Sequence, residues 1–148
     1  MKTVNIIFSG FDELQKTVSS NGFLESKNLL VQIFDGRNSY DDFCELSEYI
    51  AKLLPNATVL GTSTAGEILD SKMSENSAVI SFCTFKNTSV IPISSENSSF
   101  QGGVSTANSI LDEDIKAAIF FSDGLYSNAD EFLNGLKSIK QNIVIAGG

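Results

Sequence analysis

A run of hydroxyls closed by an acid stands between residues 57 and 67, where the chain reads A-T-V-L-G-T-S-T-A-G-E. Three hydroxyl residues, Thr62, Ser63 and Thr64, follow Gly61 directly. Gly66 and an acid, Glu67, come next. Hydroxyls donate and accept hydrogen bonds, whereas an ionised carboxylate only accepts. Glycine lets the backbone approach a bound molecule closely. The residues before them, Ala57, Val59 and Leu60, read as a short apolar strand that breaks at Gly61. A strand ending in glycine and hydroxyls puts polar groups at the edge of an apolar sheet, where open α/β sheets bind ligands.

Two later stretches share this grammar. Lys116–Phe121, K-A-A-I-F-F, is followed by Ser122, Asp123 and Gly124, and N-I-V-I-A at 142–146 is followed by Gly147 and Gly148. A fourth, Phe34-Asp35-Gly36, is related. With parallel strands these ends lie along one rim, which suits a small polar ligand such as one carrying a carboxylate. The candidate ligand-binding residues are therefore Thr62, Ser63, Thr64, Gly66 and Glu67, with Ser122, Asp123, Gly124, Gly147 and Gly148. Each turn taken singly also reads as an ordinary strand-to-helix connection.

Several chemistries are excluded by residue type. G-T-S-T-A-G lacks the G-K-[ST] ending of a phosphate loop, so no lysine reaches a nucleotide. Ser122-Asp123 resembles the metal-binding end of a nucleotide hydrolase strand, but without that loop Asp123 reads better as a turn or helix cap. The chain has no histidine. That removes a Ser-His-Asp or Cys-His nucleophile and any His-ligated metal or haem. Ser63 also lacks the G-x-S-x-G spacing of a nucleophile elbow. A carboxylate pair of Glu67 and Asp123 is the enzymatic alternative, and its separation is not readable from sequence. No catalytic set, metal site or cofactor site is assigned.

The net charge of −8 with scattered basic residues argues against nucleic acid. Cys44 and Cys83 are far apart and read as buried free thiols. No signal peptide is seen, and no apolar run approaches the roughly 18 residues of a membrane span. The chain reads as cytoplasmic.

The elements that position these residues follow from periodicity. Lys2–Phe8 and Leu29–Phe34 are strand-like, and the second is nearly continuous in apolar residues. Asp12–Ser20 reads as a short helix. Tyr40–Leu54 is the clearest helix, with Ser39 as N-cap, Asp41 and Asp42 in its first turn, and Phe43, Leu46, Ile50 and Leu53 on one face. Pro55 ends it. Ser77–Lys86 and Thr88–Ile93 read as an antiparallel hairpin with its joint at Asn87. Phe100–Leu111 and Ala129–Ile139 are helical, the latter capped by Asn128. The expected class is α/β, with α+β as the variant: a layered mixed sheet with helices packed on it, βαβ units and one antiparallel hairpin. The 148 residues read as a single domain. The halt on an apolar strand and two glycines reads as truncation at the C-terminal end.

Three motifs in order resemble the FIST domain family. V-L-G-T-S-T-A-G-E-I (Val59–Ile68) is similar to its G-x-S-T-A-G-E-I segment, F-F-S-D-G-L (Phe120–Leu125) to its later strand-end motif, and I-V-I-A-G-G (Ile143–Gly148) to the start of its G-G-x-A-G-D segment. The resemblance implies an N-terminal FIST sensory domain of a bacterial signal transduction protein. It implies a small-molecule ligand, an amino acid or related metabolite, and a FIST C-terminal domain with a signalling output domain as partners. Some members are haem sensors, a role that the missing histidine speaks against here. A docking module binding a partner domain through the strand edge at Gly148 and the Ser77–Ile93 hairpin is the remaining alternative.

Overall fold

A computed structural model describes residues 1–95, 97–111, 114–123 and 127–147. The chain folds as two compact units, Met1–Pro92 and Ile93–Gly148. The class is α/β, with helices packed on mixed sheets.

The first unit contains β1 (Lys2–Ile7), α1 (Phe11–Ser20), a short 3-10 turn at Phe23–Glu25, β2 (Leu29–Asp35), α2 (Tyr40–Leu53), β3 (Thr58–Ser63), β4 (Glu67–Leu69), β5 (Lys72–Ser74) and β6 (Ala78–Thr84). Its main sheet runs β1-β6-β2-β3. β6 is antiparallel to both β1 and β2, while β2 and β3 are parallel. Strands β1, β2 and β3 therefore point the same way, and their C-terminal ends share one rim with the start of β6. Successive strand side chains face opposite ways. Leu29, Val31 and Ile33 of β2 and Ala78, Ile80 and Phe82 of β6 thus line one face. Leu14 and Val18 of α1 and Leu46 and Ile50 of α2 complete one core with them. Phe23 stacks on Phe82 with ring centroids 4.9 Å apart.

The β2–α2–β3 crossover lies where the sequence predicts it. Ser39 caps α2 by accepting the Asp42 N–H at 3.2 Å. β3, however, does not break at Gly61. It stays paired with β2 through Ser63, opposite Asp35. The glycine has a packing role: a Cβ at Gly61 would lie 2.7 Å from the Phe43 ring and 3.3 Å from Ile33 Cβ. Its bare backbone lets the α2 aromatic lie against the sheet.

The hairpin expected over Ser77–Lys86 and Thr88–Ile93 is also corrected. β6 takes an interior position with β1 on one edge and β2 on the other. No edge of β6 is left for a following strand, and residues 88–93 form none. The antiparallel hairpin is β4–β5, with Leu69 opposite Lys72. Asp70 and Ser71 at its tip both have left-handed φ, 51° and 63°. Two such residues match the right-handed twist of a tight hairpin.

The second unit contains α3 (Phe100–Ser109), β7 (Ala117–Phe120), α4 (Ala129–Ile139) and β8 (Val144–Gly147). β7 and β8 are parallel and joined through α4, a second βαβ unit. Asn128 caps α4, accepting the Glu131 N–H at 3.2 Å. α3 and α4 meet backbone to backbone. A Cβ at Gly103 would lie 2.7 Å from Leu136 N, and one at Gly135 would lie 2.9 Å from the Phe100 carbonyl carbon. Phe132 and Leu136 of α4 bury against Ala107 and Ile143, and Phe132 stacks on Phe120 at 5.1 Å. Both cysteines are free but only half-buried, Cys83 beside the Thr3 hydroxyl at 3.6 Å.

Candidate functional site

The C-terminal rim of the first sheet gathers polar groups because strand periodicity carries them there. Asp35 is two residues beyond Ile33, so it continues the buried face of β2 and is only 4% exposed. A buried carboxylate needs compensating partners. Arg37 supplies them. Its backbone N–H donates to Oδ1 at 3.0 Å, its Nε to Oδ1 at 2.9 Å and its Nη2 to Oδ2 at 2.5 Å. Nη2 also donates to the Asp42 carbonyl at 3.1 Å, tying the rim to the first turn of α2. Burial alone would push the Asp35 carboxyl up. The hydrogen bonds and charge of Arg37 outweigh it and leave the group below the usual carboxylate range. The guanidinium in turn is held above its ordinary value by its hydrogen bond to Asp35.

Arg37 spans the rim. Its guanidinium carbon lies 5.2 Å from the centre of the Phe8 ring, just past the end of β1. Phe8 donates its N–H to the Ala78 carbonyl at 2.8 Å, Gly36 donates to Ser77 at 2.8 Å, and Thr64 donates to Asp35 at 3.0 Å. These bonds extend the ladders past the strands, so the four chain segments are laced together at this edge. Phe8 packs edge-on to Phe11 of α1 at 5.2 Å. A depression of about 450 Å3 opens there, lined by Ser9, Gly10, Phe11, Asp12, Glu13 and Lys16.

Glu67 is the second buried acid of the rim, also 4% exposed. Thr64 donates its hydroxyl to Oε1, and Ser77 donates to Oε2 at 2.5 Å. Ser74 and Ser77 are joined at 2.8 Å. Since Ser77 gives its proton to the carboxylate, Ser74 gives its own to Ser77. The Glu67 side chain thereby clamps the β3–β4 turn to the β5–β6 junction. Gly66 lies under the Ser74 carbonyl, where a Cβ would stand 3.1 Å away.

The ten residues singled out by sequence divide accordingly. Thr64 and Glu67 are in direct contact. Thr62 and Ser63 are consecutive in β3 and so project from opposite faces; Thr62 donates its hydroxyl to the Ser63 carbonyl at 3.1 Å. In the second unit Gly147 pairs with Phe120. It has φ 118°, and a Cβ there would stand 2.8 Å from the Phe120 carbonyl carbon. Ser122 is half-buried and Asp123 exposed. The Asp123 carbonyl accepts the Ser127 N–H at 3.0 Å. Gly124 and Gly148 lie outside the described residues.

Sequence reasoning missed Arg37 and Ser77. A signal existed for Arg37: an acid and a base two residues apart, D-G-R, directly after an apolar strand. None existed for Ser77, which meets Glu67 only through the fold.

Comparison with known families gives one finding. The model of the FIST N domain matches residues 29–148, most of the chain. No curated protein and no solved structure matches significantly. Among the described residues, no helix is long and apolar enough to cross a membrane.

Proposed function

The chain belongs to the FIST N domain family, sensory domains of signalling proteins, and on that basis we propose that it senses a small polar metabolite, an amino acid or a close relative. The observation that carries this reading is the rim of the first unit. Its strand ends carry two preformed hydrogen-bonded groups, Arg37 on Asp35 and Thr64 with Ser77 on Glu67, and a depression opens past the end of β1. A preorganised polar edge on an apolar sheet is where α/β folds take ligands. Thr62, Ser63 and Gly66 belong to the same proposal. Ser122, Asp123, Gly124, Gly147 and Gly148 form a separate proposed set in the second unit. The domain works in a bacterial cytoplasm, joined to a FIST C-terminal domain and an output module that reads its state.

Thermal unfolding of the full chain with individual free amino acids tests this. A ligand that binds only the native state stabilises it by about 2.7 kcal/mol at a hundredfold excess over Kd. A rise in Tm that saturates with one or a few amino acids is expected. A flat response across the whole set overturns the amino-acid assignment.

A further inference from the structure

The hydrogen-bond inventory of Arg37 leaves a remainder. A guanidinium has five N–H donors. Nε is committed to Asp35, and Nη2 spends its two protons on Asp35 Oδ2 and the Asp42 carbonyl. Nη1, with two N–H groups, has no acceptor among the described residues. The side chain is still 20% exposed. It is held in place by the bidentate pair with Asp35 and by the Phe8 ring beneath it. Little conformational entropy is left to lose when Nη1 takes a partner.

The charges around it restrict that partner. Asp35 already neutralises the guanidinium. Asp42 and Glu45 also act on it electrostatically, and Asp12 and Glu13 line the neighbouring depression, where Lys16 pairs with Glu13 at 2.6 Å. The acids outnumber the bases, so a net anion is repelled while a hydrogen-bond acceptor on a neutral or cationic molecule is not.

We propose that Arg37 is a specificity-determining residue of this rim: its Nη1 receives the acceptor end of the ligand, and the ligand as a whole carries no net negative charge. This rests on the reading of the rim as a ligand site and deepens it by naming the residue and the charge class.

The test follows the Nε–H signal of Arg37, the only arginine in the sequence, by nitrogen-edited NMR of the full chain. The probes are glycinamide, a cation with a carbonyl acceptor; glycine, a zwitterion; and acetate, an anion, each against matched sodium chloride. Glycinamide or glycine should move the signal saturably, and acetate no more than chloride does. R37K keeps a cation beside Asp35 but loses the fork. It should weaken binding of the active probe about tenfold, the scale of one charge-assisted hydrogen bond. A signal that moves most with acetate, or with none of the probes, overturns the proposal. The wild-type titration decides the matter even where R37K folds poorly. Amino acids that raise Tm while the Arg37 signal stays still would sink this inference and leave the sensor reading intact. A moving signal with no amino acid raising Tm would leave this inference standing and overturn the amino-acid assignment alone.

Discussion

The Glu67 carboxylate lies directly over Gly36: a Cβ on that glycine would stand 2.5 Å from Oε1 and 3.3 Å from Cδ. The absence of a side chain at the end of β2 is therefore what admits the acid from the β3–β4 turn. Gly36 also donates its N–H to the Ser77 carbonyl, and Ser77 donates its hydroxyl to the same carboxylate. One glycine, one serine and one glutamate thus close the rim.

Gly36→Ala should displace Glu67 and break its bonds from Thr64 and Ser77. Overpacking of this kind costs about 1–3 kcal/mol, and chemical denaturation would read it as a lower midpoint. Glu67 is only 4% exposed, so a displaced carboxylate also loses its buried setting. An unchanged midpoint would show that the clamp does not contribute to stability.

Asp35 makes stability depend on pH with a definite sign. Its folded-state value lies below the unfolded one, because Arg37 outweighs burial. Its contribution is complete above about 3.9, the ordinary aspartate value, and is lost as pH falls through the lowered folded value. Asp35→Asn should flatten this acid-range dependence. At neutral pH it should cost about 3–5 kcal/mol, since Arg37 is left without its countercharge. Acid titration of wild type and variant, followed by circular dichroism, checks both.

Gly61→Ala tests whether the glycine ahead of the hydroxyl run serves packing. Alanine would collide with the Phe43 ring and destabilise the protein by about 1–3 kcal/mol. Phe43→Leu combined with Gly61→Ala should recover part of that loss, because the two sites touch and their effects are not additive. Purely additive losses would deny the contact its role.

Gly103 and Gly135 separate helix propensity from packing. Alanine in a helix interior normally gains about 1 kcal/mol over glycine. Here each substitution drives a methyl into the backbone of the facing helix, so Gly103→Ala and Gly135→Ala should both destabilise. A melt of either variant above wild type would overturn the close α3–α4 packing.

Much of the architecture was legible because it is local. The spacing of Phe43, Leu46 and Ile50, the Ser39 cap and Pro55 define α2 by themselves, and Asn128 does the same for the start of α4. These signals act over three or four residues and need no partner. The nearly continuous apolar run of Leu29–Phe34 likewise identified the strand β2. What failed was non-local. Thr88–Ile93 has strand-like composition, but β propensity becomes a strand only where an edge is free, and β1 and β2 had taken both edges of β6.

The candidate site divides along the same line. Sequence alone determined the chemistry available: hydroxyls and an acid after β3, acid-glycine-arginine after β2, and no histidine anywhere. Only the tertiary structure decided which of these groups meet. Strand periodicity sends Thr62 and Ser63 to opposite faces, parallel register sets Asp35 beside Ser63, and the β4–β5 hairpin turns the chain back so that Ser77 meets Glu67 ten residues earlier. Residue types are written in the chain, but hydrogen-bond partners depend on distances of about 3 Å, and those are set by the pairing of strands far apart in sequence.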